Sequence, residues 1–413
     1  MLKRLKETRM QSPSRLEERC YTETNMSLDL VQVVSQVEAM ASNLIEGKRA
    51  AAERLALALG TLGEKAQDWE ELRARSQQAR TTWLVAGLEE GLGESHPAPP
   101  LPPDFSALGS DGSHIALDRH LPVRCYLINL GLAYLRYGRE PQARLDRQAR
   151  LFWKEEDLVI ADPTGLRASP IEGALLGARR GLEEVRFLLE NLEPSGEPCL
   201  GLLDGSLVFW GLTGEEAYLR QAIIERGLVP LLDRLRGQAA LIASYISFPR
   251  STEVVNLLRV ALCPYSPPNC DRHCRGRQDR PGGGVAGVED RHLWARLLAP
   301  WERSPLFRSQ SRVIEEHYGE HRVYFCYLRG PTEVARVEVP SWVAQDRPRL
   351  DLVHALVLDQ ARRGEGYPTA LAEAHEQAVV SAQDREAFWG LVEQVSGPLT
   401  ASPKSQSKRY RWV

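Results

Sequence analysis

The sequence contains very little lysine and almost no excess of charge of either sign. Only seven of its 52 basic residues are Lys and 45 are Arg, and 55 acidic residues bring the formal net charge to −3. Such a chain is not a cationic protein that coats nucleic acid without specificity. Residues 1–20 carry +3 and residues 401–413 carry +4, which leaves −10 on the rest. Any nucleic-acid site is therefore a local patch on an acidic body. The Arg excess suits bidentate phosphate contacts, although GC-rich coding produces the same bias.

Long apolar runs and a paired set of cysteines are also missing. No stretch approaches the ~20 apolar residues that span a bilayer, and the charged residues 1–20 lack the apolar core of a signal peptide. The seven cysteines are an odd number scattered along the chain, which is typical of reduced thiols and not of a disulfide framework. We expect a soluble, cytoplasmic protein with no membrane partner.

Changes of composition divide the chain into five parts. We predict a flexible basic tail, a helical arm, a Pro-rich linker, a main domain and a basic C-terminal tail, at residues 1–25, 26–95, 96–104, 105–395 and 396–413. In the arm, Pro and Gly are few and apolar residues recur at helical spacing. We therefore expect one or two long helices there, broken near Gly60 or Gly63.

The main domain mixes strand-like and helix-like segments. Apolar, β-branched or aromatic runs predict strands at residues 125–138, 151–160, 199–212, 239–247 and 321–330. Amphipathic patterns predict helices at residues 168–193, 250–262 and 367–380, and the stretch 264–288 is expected to be loop. The first of these helices would open with Ser169 as N-cap and Pro170 as the first helical residue. The pattern predicts an α/β domain.

A tripeptide, Asp-Gly-Ser, occurs twice beside apolar sequence. Asp111-Gly112-Ser113 follows FSALGS, and Asp204-Gly205-Ser206 lies inside CLGLLDGSLVFW. A carboxylate in an apolar run is costly to bury without a compensating charge or donor. A divalent cation such as Mg²⁺ or Mn²⁺ compensates it with the oxygen ligands it prefers. The alternative is a hairpin turn, for which Asp-Gly is a common dipeptide.

Metal-assisted cleavage of a phosphodiester usually needs three or more acids. The helix over residues 171–190 offers four, namely Glu172, Glu183, Glu184 and Glu190. Both Glu183 and Glu184 lie off the centre of its apolar stripe, so periodicity does not choose between them. The alternative for both is a solvated helix face.

A second candidate cluster lies near the end of the main domain, in GYPTALAEAHE. Tyr367 precedes a predicted helix, and His375 lies eight positions later. A helical His serves as a metal ligand or a general acid, or it is a structural or surface residue.

In their order along the chain, these motifs resemble one family, the NurA nucleases. The resemblance covers about residues 105–390 and is carried by SDGSHIALDRH with CYLINLGLAYLRYG, ARRGLEEV before LLDGSLVFW, YISFPRSTEVVNLLR and YPTALAEAHEQAV. It implies an RNase H-like α/β core, with a mixed β-sheet flanked by helices and an N-terminal helical arm. It further implies a homodimeric ring that works on DNA with a hexameric HerA-type ATPase in double-strand break repair. The implied activity is that of a Mn²⁺-dependent nuclease, of the 5′–3′ exonuclease and single-strand endonuclease type, for which Mg²⁺ is the weaker cofactor.

The resemblance also assigns residues to roles. The catalytic positions it implies are Asp111, at the end of the first core strand, Glu184, Asp204, Tyr367 and His375. Of these, Asp111, Glu184, Asp204 and His375 would bind the metal, and Glu183 is the fallback for Glu184. Candidates for substrate binding are Arg119, His120, Arg180 and Arg250, for which ordinary surface charges are the alternative.

Two features fit the family pattern less well. His114 follows the first Asp-Gly-Ser where a polar residue such as Gln is expected, and either adds a ligand or is tolerated. The loop with Cys263, Cys270, His273 and Cys274 lacks the spacing of zinc-knuckle pairs, so we expect no structural zinc.

Two other functions remain open at this point. A catalytically silent dimeric adaptor could keep the fold and dock on a ring ATPase, although an inactive relative is expected to have lost at least one of the five catalytic residues. An RNase H-like enzyme acting on RNA is the other, since a metal site does not recognise the sugar.

Overall fold

A computed structural model describes residues 31–117, 123–192, 196–277, 280 and 282–396 of the chain. It divides into two compact units, residues 1–53 and 54–413. Of the first unit the structure describes a stretch of helix. The tails predicted at residues 1–25 and beyond residue 396 lie outside the described residues.

The second unit is built on one large sheet. Its strands are β1 (Gly87–Leu88), β2 (Phe105–Ile115), β3 (Tyr126–Tyr137), β4 (Gln142–Phe152), β7 (Cys199–Asp204), β8 (Leu241–Ile246), β9 (Phe307–Arg308), β10 (Val323–Arg329) and β11 (Val334–Pro340), while β5 (Val159–Ala161) and β6 (Ala168–Pro170) form a separate hairpin.

Helices cover the sheet and connect its strands. They are α1 (Val31–Lys65), α2 (Trp69–Gln77), α3 (Glu155–Leu158), α4 (Gly173–Asn191), α5 (Ala217–Arg220), α6 (Val229–Gly237), α7 (Glu253–Ala261), α8 (Cys270–His273), α9 (Asp290–Leu297), α10 (Arg312–His317), α11 (Ser341–Ala344), α12 (Arg347–Arg363), α13 (Thr369–Ala378) and α14 (Ala382–Ser396). A π-helix (Gln221–Leu228) joins α5 to α6, and 3₁₀ turns lie at Trp210–Leu212 and Gly283–Val285.

The strand order is β1-β9-β10-β11-β8-β7-β2-β3-β4. The pairs β2–β7 and β7–β8 are parallel and the others are antiparallel. Three parallel strands at the centre therefore end at one edge of the sheet. In open α/β sheets, ligands bind outside such carboxyl ends, so this edge is where a site is expected.

The two faces of the sheet are covered by different helices. Leu108 and Leu203 pack with the apolar stripe of α4 on one face. Ala107 and Leu202, one residue away along the same strands, pack with α12 and with Ala370 of α13 on the other face. This alternation is the period of two that a strand imposes on its side chains. The predicted architecture, a mixed sheet flanked by helices, is confirmed, while its RNase H-like relationship stays a prediction.

The predicted break of the first helix is wrong. Helix α1 continues through Gly60 and Gly63 and ends at Lys65. Neither glycine has a heavy atom within 4 Å of where its Cβ would be, so they lie on an open face of an unbroken helix. Helix α2 follows it within the predicted arm. Beyond α2 the arm is not helical, and β1 adds to the large sheet by pairing with β9.

Several element boundaries also differ from the prediction. The strand predicted at 199–212 ends at Asp204, and Ser169 and Pro170 belong to β6, so that α4 begins at Gly173 with Glu172 at its N-cap. The segment 151–160 is the end of β4 followed by α3 and the start of β5. Strand β4 was not predicted, because as an edge strand it exposes nearly all of its residues and lacks an apolar pattern.

Within the described part of the chain, no helix combines the length and the apolarity needed to cross a bilayer.

Candidate active site

The first Asp-Gly-Ser motif lies inside a strand. Asp111 belongs to β2 and faces Gly131 of β3, so the hairpin-turn alternative is wrong here. The parallel ladder between β2 and β7 ends one residue earlier, at the pair Ser110–Leu203. Asp111 is therefore not at the end of its strand, as the family resemblance implies, but at the point where the neighbouring strand stops. The residue is 8% exposed, and its Oδ1 accepts a hydrogen bond of 2.7 Å from the Gly112 amide.

Two glycines let helix α13 lie directly on the backbones of β2 and β3. A Cβ on Gly109 would lie 2.1 Å from the carbonyl oxygen of Ala370, and a Cβ on Gly131 would lie 2.0 Å from that of Ala374. No side chain fits in so short a distance. As a result His375, in the last turn of α13, reaches Asp111, and its Nδ1 lies 2.7 Å from Asp111 Oδ2.

The second Asp-Gly-Ser motif ends β7. Asp204 is the last residue of the strand, and Gly205 follows with a φ of +88°, a conformation that favours glycine. The Gly205 amide donates to the carbonyl of Tyr245 in β8 at 3.0 Å, which closes the turn. Tyr367, just before α13, hydrogen-bonds to the Asp204 carboxylate. Asp204 and Asp111 thus lie on the face of the sheet that α13 covers.

Of the two adjacent glutamates in α4, Glu184 is the one that lies against the first Asp-Gly-Ser motif. Glu183 is fully buried and is paired with three arginines, Arg150 at 2.6 Å, Arg186 at 2.8 Å and Arg179 at 3.3 Å. Glu184 is 6% exposed, so the solvated-face alternative is wrong for both. A Cβ on Gly112 would lie 2.8 Å from Glu184 Oε1, which shows how closely this carboxylate approaches the first motif.

Burial and mutual repulsion raise the pKa values of two of the three acids. Burial raises the pKa of Glu184 to about 8, the negative charges of Asp111 and Asp204 add to the rise, and Arg180 opposes it. The pKa of Asp204 is also raised, mainly because part of its carboxyl group is removed from water, while the hydrogen bond from Tyr367 opposes the rise. Carboxylates that repel one another in this way are frequent at catalytic sites.

The donors at this edge fit a hard divalent cation by their chemistry. Glu184 Oε1 is buried without a hydrogen bond, although Arg180 Nε lies 3.1 Å away. A cavity of about 40 Å³ opens beside Glu184, Asp204 and Ser206, which has room for a water-sized species. Within the described residues, no three His, Cys, Asp or Glu side chains stand close enough together to hold a metal ion as they are. The carboxylates of Asp111, Glu184 and Asp204 are the side chains that would hold such a cation.

A buried ion-pair chain that sequence reasoning missed supports the second motif. Glu338 of β11 accepts hydrogen bonds from Ser206 Oγ at 2.8 Å and from the Leu207 amide at 2.9 Å. Arg336 Nε donates to the other oxygen of Glu338 at 2.8 Å, and Arg336 Nη1 donates to Glu253 at 2.6 Å. The serine of the motif thus fixes the turn after Asp204 to β11, which lies beyond β8 in the sheet. The two charged residues in the otherwise apolar strand VARVEVP were the available signal.

The predicted substrate-binding residues have different outcomes. Arg180 lies in the site, where Nη1 donates to the Gly112 carbonyl at 3.1 Å and Nε faces Glu184. Arg250 is exposed in the loop after β8, near the edge where the parallel strands end. Arg119 and His120 lie outside the described residues.

The remaining two sequence features are His114 and the loop that contains Cys270, His273 and Cys274. His114 is half-buried, and burial and the nearby Arg180 lower its pKa. Cys270 and Cys274 lie at hydrogen-bond distance from each other, and His273 stacks on Tyr265. No cluster of metal-binding side chains is found in the described part of this loop.

Comparison with known proteins places the chain in a family. Residues 105–380, about two thirds of the chain, match the family model of the NurA domain. No curated protein matches the chain. The chain is similar to a crystal structure of NurA with manganese, with 12% identity, a TM-score of 0.35, and coverage of 72% of this chain and 91% of that one. The region matched by the family model contains both Asp-Gly-Ser motifs and the Tyr367–His375 segment. The chain therefore belongs to the NurA domain family, which is a nuclease family.

Proposed function

We propose that this protein hydrolyses phosphodiester bonds in DNA with the help of bound divalent metal ions, Mn²⁺ before Mg²⁺. The observation that carries the proposal is the approach of three carboxylates from three different elements. Asp111 on β2, Glu184 on α4 and Asp204 on β7 come near enough that the charges of the two aspartates add to the rise in the pKa of Glu184, which burial first of all brings to about 8. A bound cation lowers the electrostatic free energy of such a site, because it neutralises carboxylates that repel one another.

Each side chain has a role that its contacts support. The metal would activate water and stabilise charge on the scissile phosphate when it is bound by Asp111, Glu184, Asp204 and His375. In the state in which His375 Nδ1 donates to Asp111, the remaining ring nitrogen Nε2 would either complete the metal shell or accept a proton. Burial raises the pKa of Tyr367 well above that of an ordinary phenol, and the negative charge of the neighbouring Asp204 raises it further. Tyr367 therefore stays a hydrogen-bond donor that orients Asp204.

The second part of the proposal is a biological setting, for which the resemblance to the NurA nucleases is the support. The protein would act on DNA ends as a 5′–3′ exonuclease and single-strand endonuclease in double-strand break repair. It would work in the cytoplasm as a homodimer with a hexameric HerA-type ATPase. A dimer sediments at twice the chain mass of 46.3 kDa, and a species of a single chain mass at micromolar concentration would count against it.

Labelled single- and double-stranded DNA, incubated with Mn²⁺, Mg²⁺ or EDTA, tests the activity. We expect cleavage with Mn²⁺, none with EDTA, and a loss of at least about 100-fold in Asp111→Asn and Asp204→Asn. The exposed Asp146 on β4, which pairs with Arg144, supplies the control variant Asp146→Asn, which should cleave like the wild type.

Two results would contradict the proposal. Cleavage unchanged in both site variants would show that these acids are not the catalytic ones. Folded protein that leaves DNA intact at saturating Mn²⁺, with or without its ATPase, would exclude a deoxyribonuclease, and cleavage of a labelled RNA under those conditions would identify a ribonuclease.

A further inference from the structure

Phe248 lies in an unusual environment at the same edge of the sheet. It follows β8, its side chain is 60% exposed, and its backbone has a φ of +44°. Left-handed backbone is unfavourable for any residue with a Cβ, and it persists where the surrounding structure enforces it. An exposed aromatic ring on enforced backbone therefore asks for a functional explanation.

The surrounding structure enforces this conformation through one carboxylate. Glu333 Oε2 accepts hydrogen bonds from the Phe248 amide at 2.9 Å and from Ser247 Oγ at 2.8 Å. The other oxygen of Glu333 lies 3.3 Å from the hydroxyl of Tyr245, which donates to the Gly366 carbonyl at 2.9 Å. Gly366 directly precedes Tyr367. The hydrogen bonds of Glu333 and Tyr245 thus connect the backbone of Phe248 to that of the residue before Tyr367, which contacts Asp204.

The distance to the candidate active site is short. Tyr245 is the register partner of Asp204 in the parallel ladder between β7 and β8. Phe248 is three residues further on, and three residues of even fully extended chain span about 10 Å. Phe248 therefore follows, within about 10 Å of chain, the residue that pairs with Asp204 at the carboxyl end of the parallel strands.

The ring forms one wall of an open cleft of about 280 Å³ whose other walls include cations. Arg291, His292 and Arg329 line it together with Phe248, and the acidic Glu333 lines it as well. Arg291 also pairs with Glu289, with Nε 2.7 Å from Oε2. The Arg291 guanidinium lies 5.6 Å from the centre of the Phe248 ring. An exposed aromatic face with guanidinium groups around it is the combination that binds single-stranded nucleic acid, because bases stack on the ring and phosphates are attracted to the cations.

We propose that Phe248 is a stacking platform for an unpaired nucleobase of the DNA strand that enters the site, with Arg291 and Arg329 attracting the neighbouring phosphate. The inference rests on the proposed nuclease function and deepens it. Every base has a π-face, so the platform accepts any sequence but demands an unpaired base. It assigns to this subsite a preference for single-stranded or frayed DNA ends.

Binding in EDTA, where the strand is not cleaved, isolates the stacking contribution. The probes are labelled oligothymidylate and an abasic strand of the same length, which carries the same phosphates without bases. We expect Phe248→Ala to reduce the ratio of the two affinities by about 5- to 100-fold. Phe248→Trp should retain the wild-type ratio, and Phe248→Leu, which keeps apolar bulk but no π-face, should behave like Phe248→Ala.

Trp153 supplies a matched control. It is 61% exposed after strand β4, so Trp153→Ala removes an exposed aromatic ring that the proposal does not use, and its affinity ratio should equal that of the wild type. An unchanged ratio in Phe248→Ala would overturn the platform, as would an equal loss for both strands. A loss of self-association in sedimentation without any change in the ratio would assign the ring to a protein interface instead. Failure of the proposed function is separate, because it would show as wild-type protein that does not cleave DNA with Mn²⁺.

Discussion

Replacing Glu184 by Gln should stabilise the metal-free protein while it abolishes cleavage. Glu184 is 6% exposed, and burial together with two neighbouring aspartates raises its pKa from 4.5 to about 8. At about 1.4 kcal/mol per pH unit, this shift corresponds to a limit of about 5 kcal/mol between the protonated and ionised protein. The glutamine has the same shape and does not ionise, so the variant does not lose this free energy.

The sign of the pH dependence follows from the direction of the shift. A group whose pKa is higher in the folded state stabilises the protein fully below its unfolded pKa, and this contribution is lost as pH rises through the folded pKa. Wild-type stability should therefore fall between about pH 5 and pH 8 relative to the variant. The advantage of Glu184→Gln should grow by about 3 kcal/mol over that range.

Urea denaturation of both proteins in EDTA at pH 5 and pH 8 measures the effect. Saturating Mn²⁺ at pH 8 should reverse the order, because the cation stabilises only a site with all its carboxylates. Glu183→Gln is the matched control. Its glutamate lies between three arginines, so this variant should be destabilised by at least about 1 kcal/mol at both pH values. An advantage of Glu184→Gln that does not grow with pH would refute the desolvated, mutually repelling site.

Three further predictions follow from the contacts of the site. Gly109→Ala places a Cβ 2.1 Å from the Ala370 carbonyl oxygen, so it should lower the free energy of unfolding by at least about 2 kcal/mol, and a melting temperature equal to that of the wild type would contradict the packing of α13. Glu338→Gln removes the charge that Arg336 and the turn after Asp204 share. We expect a loss of about 3 kcal/mol in the free energy of unfolding and a drop in cleavage of at least tenfold. Full activity would show that this ion-pair chain does not position Asp204. The apparent affinity for Mn²⁺ should rise about tenfold per pH unit from pH 6 to pH 7.5 and level off above pH 8, since Glu184 must lose a proton on binding; calorimetry that shows no pH dependence would contradict this.

The sequence indicated the two aspartates of the candidate site but not their surroundings. An acid followed by glycine in an apolar run indicated Asp111 and Asp204, and the structure places both at the edge where the parallel strands end. It did not show that the two motifs differ, one within a strand and one in a turn. That difference depends on where β7 ends, which is a property of the sheet and not of either tripeptide.

The choice between Glu183 and Glu184 shows what periodicity lacks. Both lie off the apolar stripe of α4, and both are buried, because one faces a group of arginines and the other faces Gly112. Only the packing of the helix on the sheet distinguishes them. The role of Gly109 was similarly hidden, since a glycine in a strand indicates a close approach without naming what approaches.

The surface beside the site was the least predictable part. Phe248 lies in the segment YISFPR, in which only the Arg was predicted to bind substrate. The residue types in this segment do not indicate a positive φ or an exposed ring at Phe248. Both arise from Glu333, which comes from a distant part of the chain and accepts the Phe248 amide hydrogen. A local sequence pattern does not indicate contacts between residues that are far apart in the chain.

Anomalous diffraction at the manganese absorption edge, from crystals soaked in Mn²⁺ at pH 8, tests whether Asp111, Glu184 and Asp204 together bind a catalytic divalent cation. We expect a strong peak between the three carboxylates, which is lost in crystals of Asp204→Asn. A protein that cleaves DNA with Mn²⁺ and yet shows no manganese there, or shows it bound to other residues, would contradict the proposed metal site.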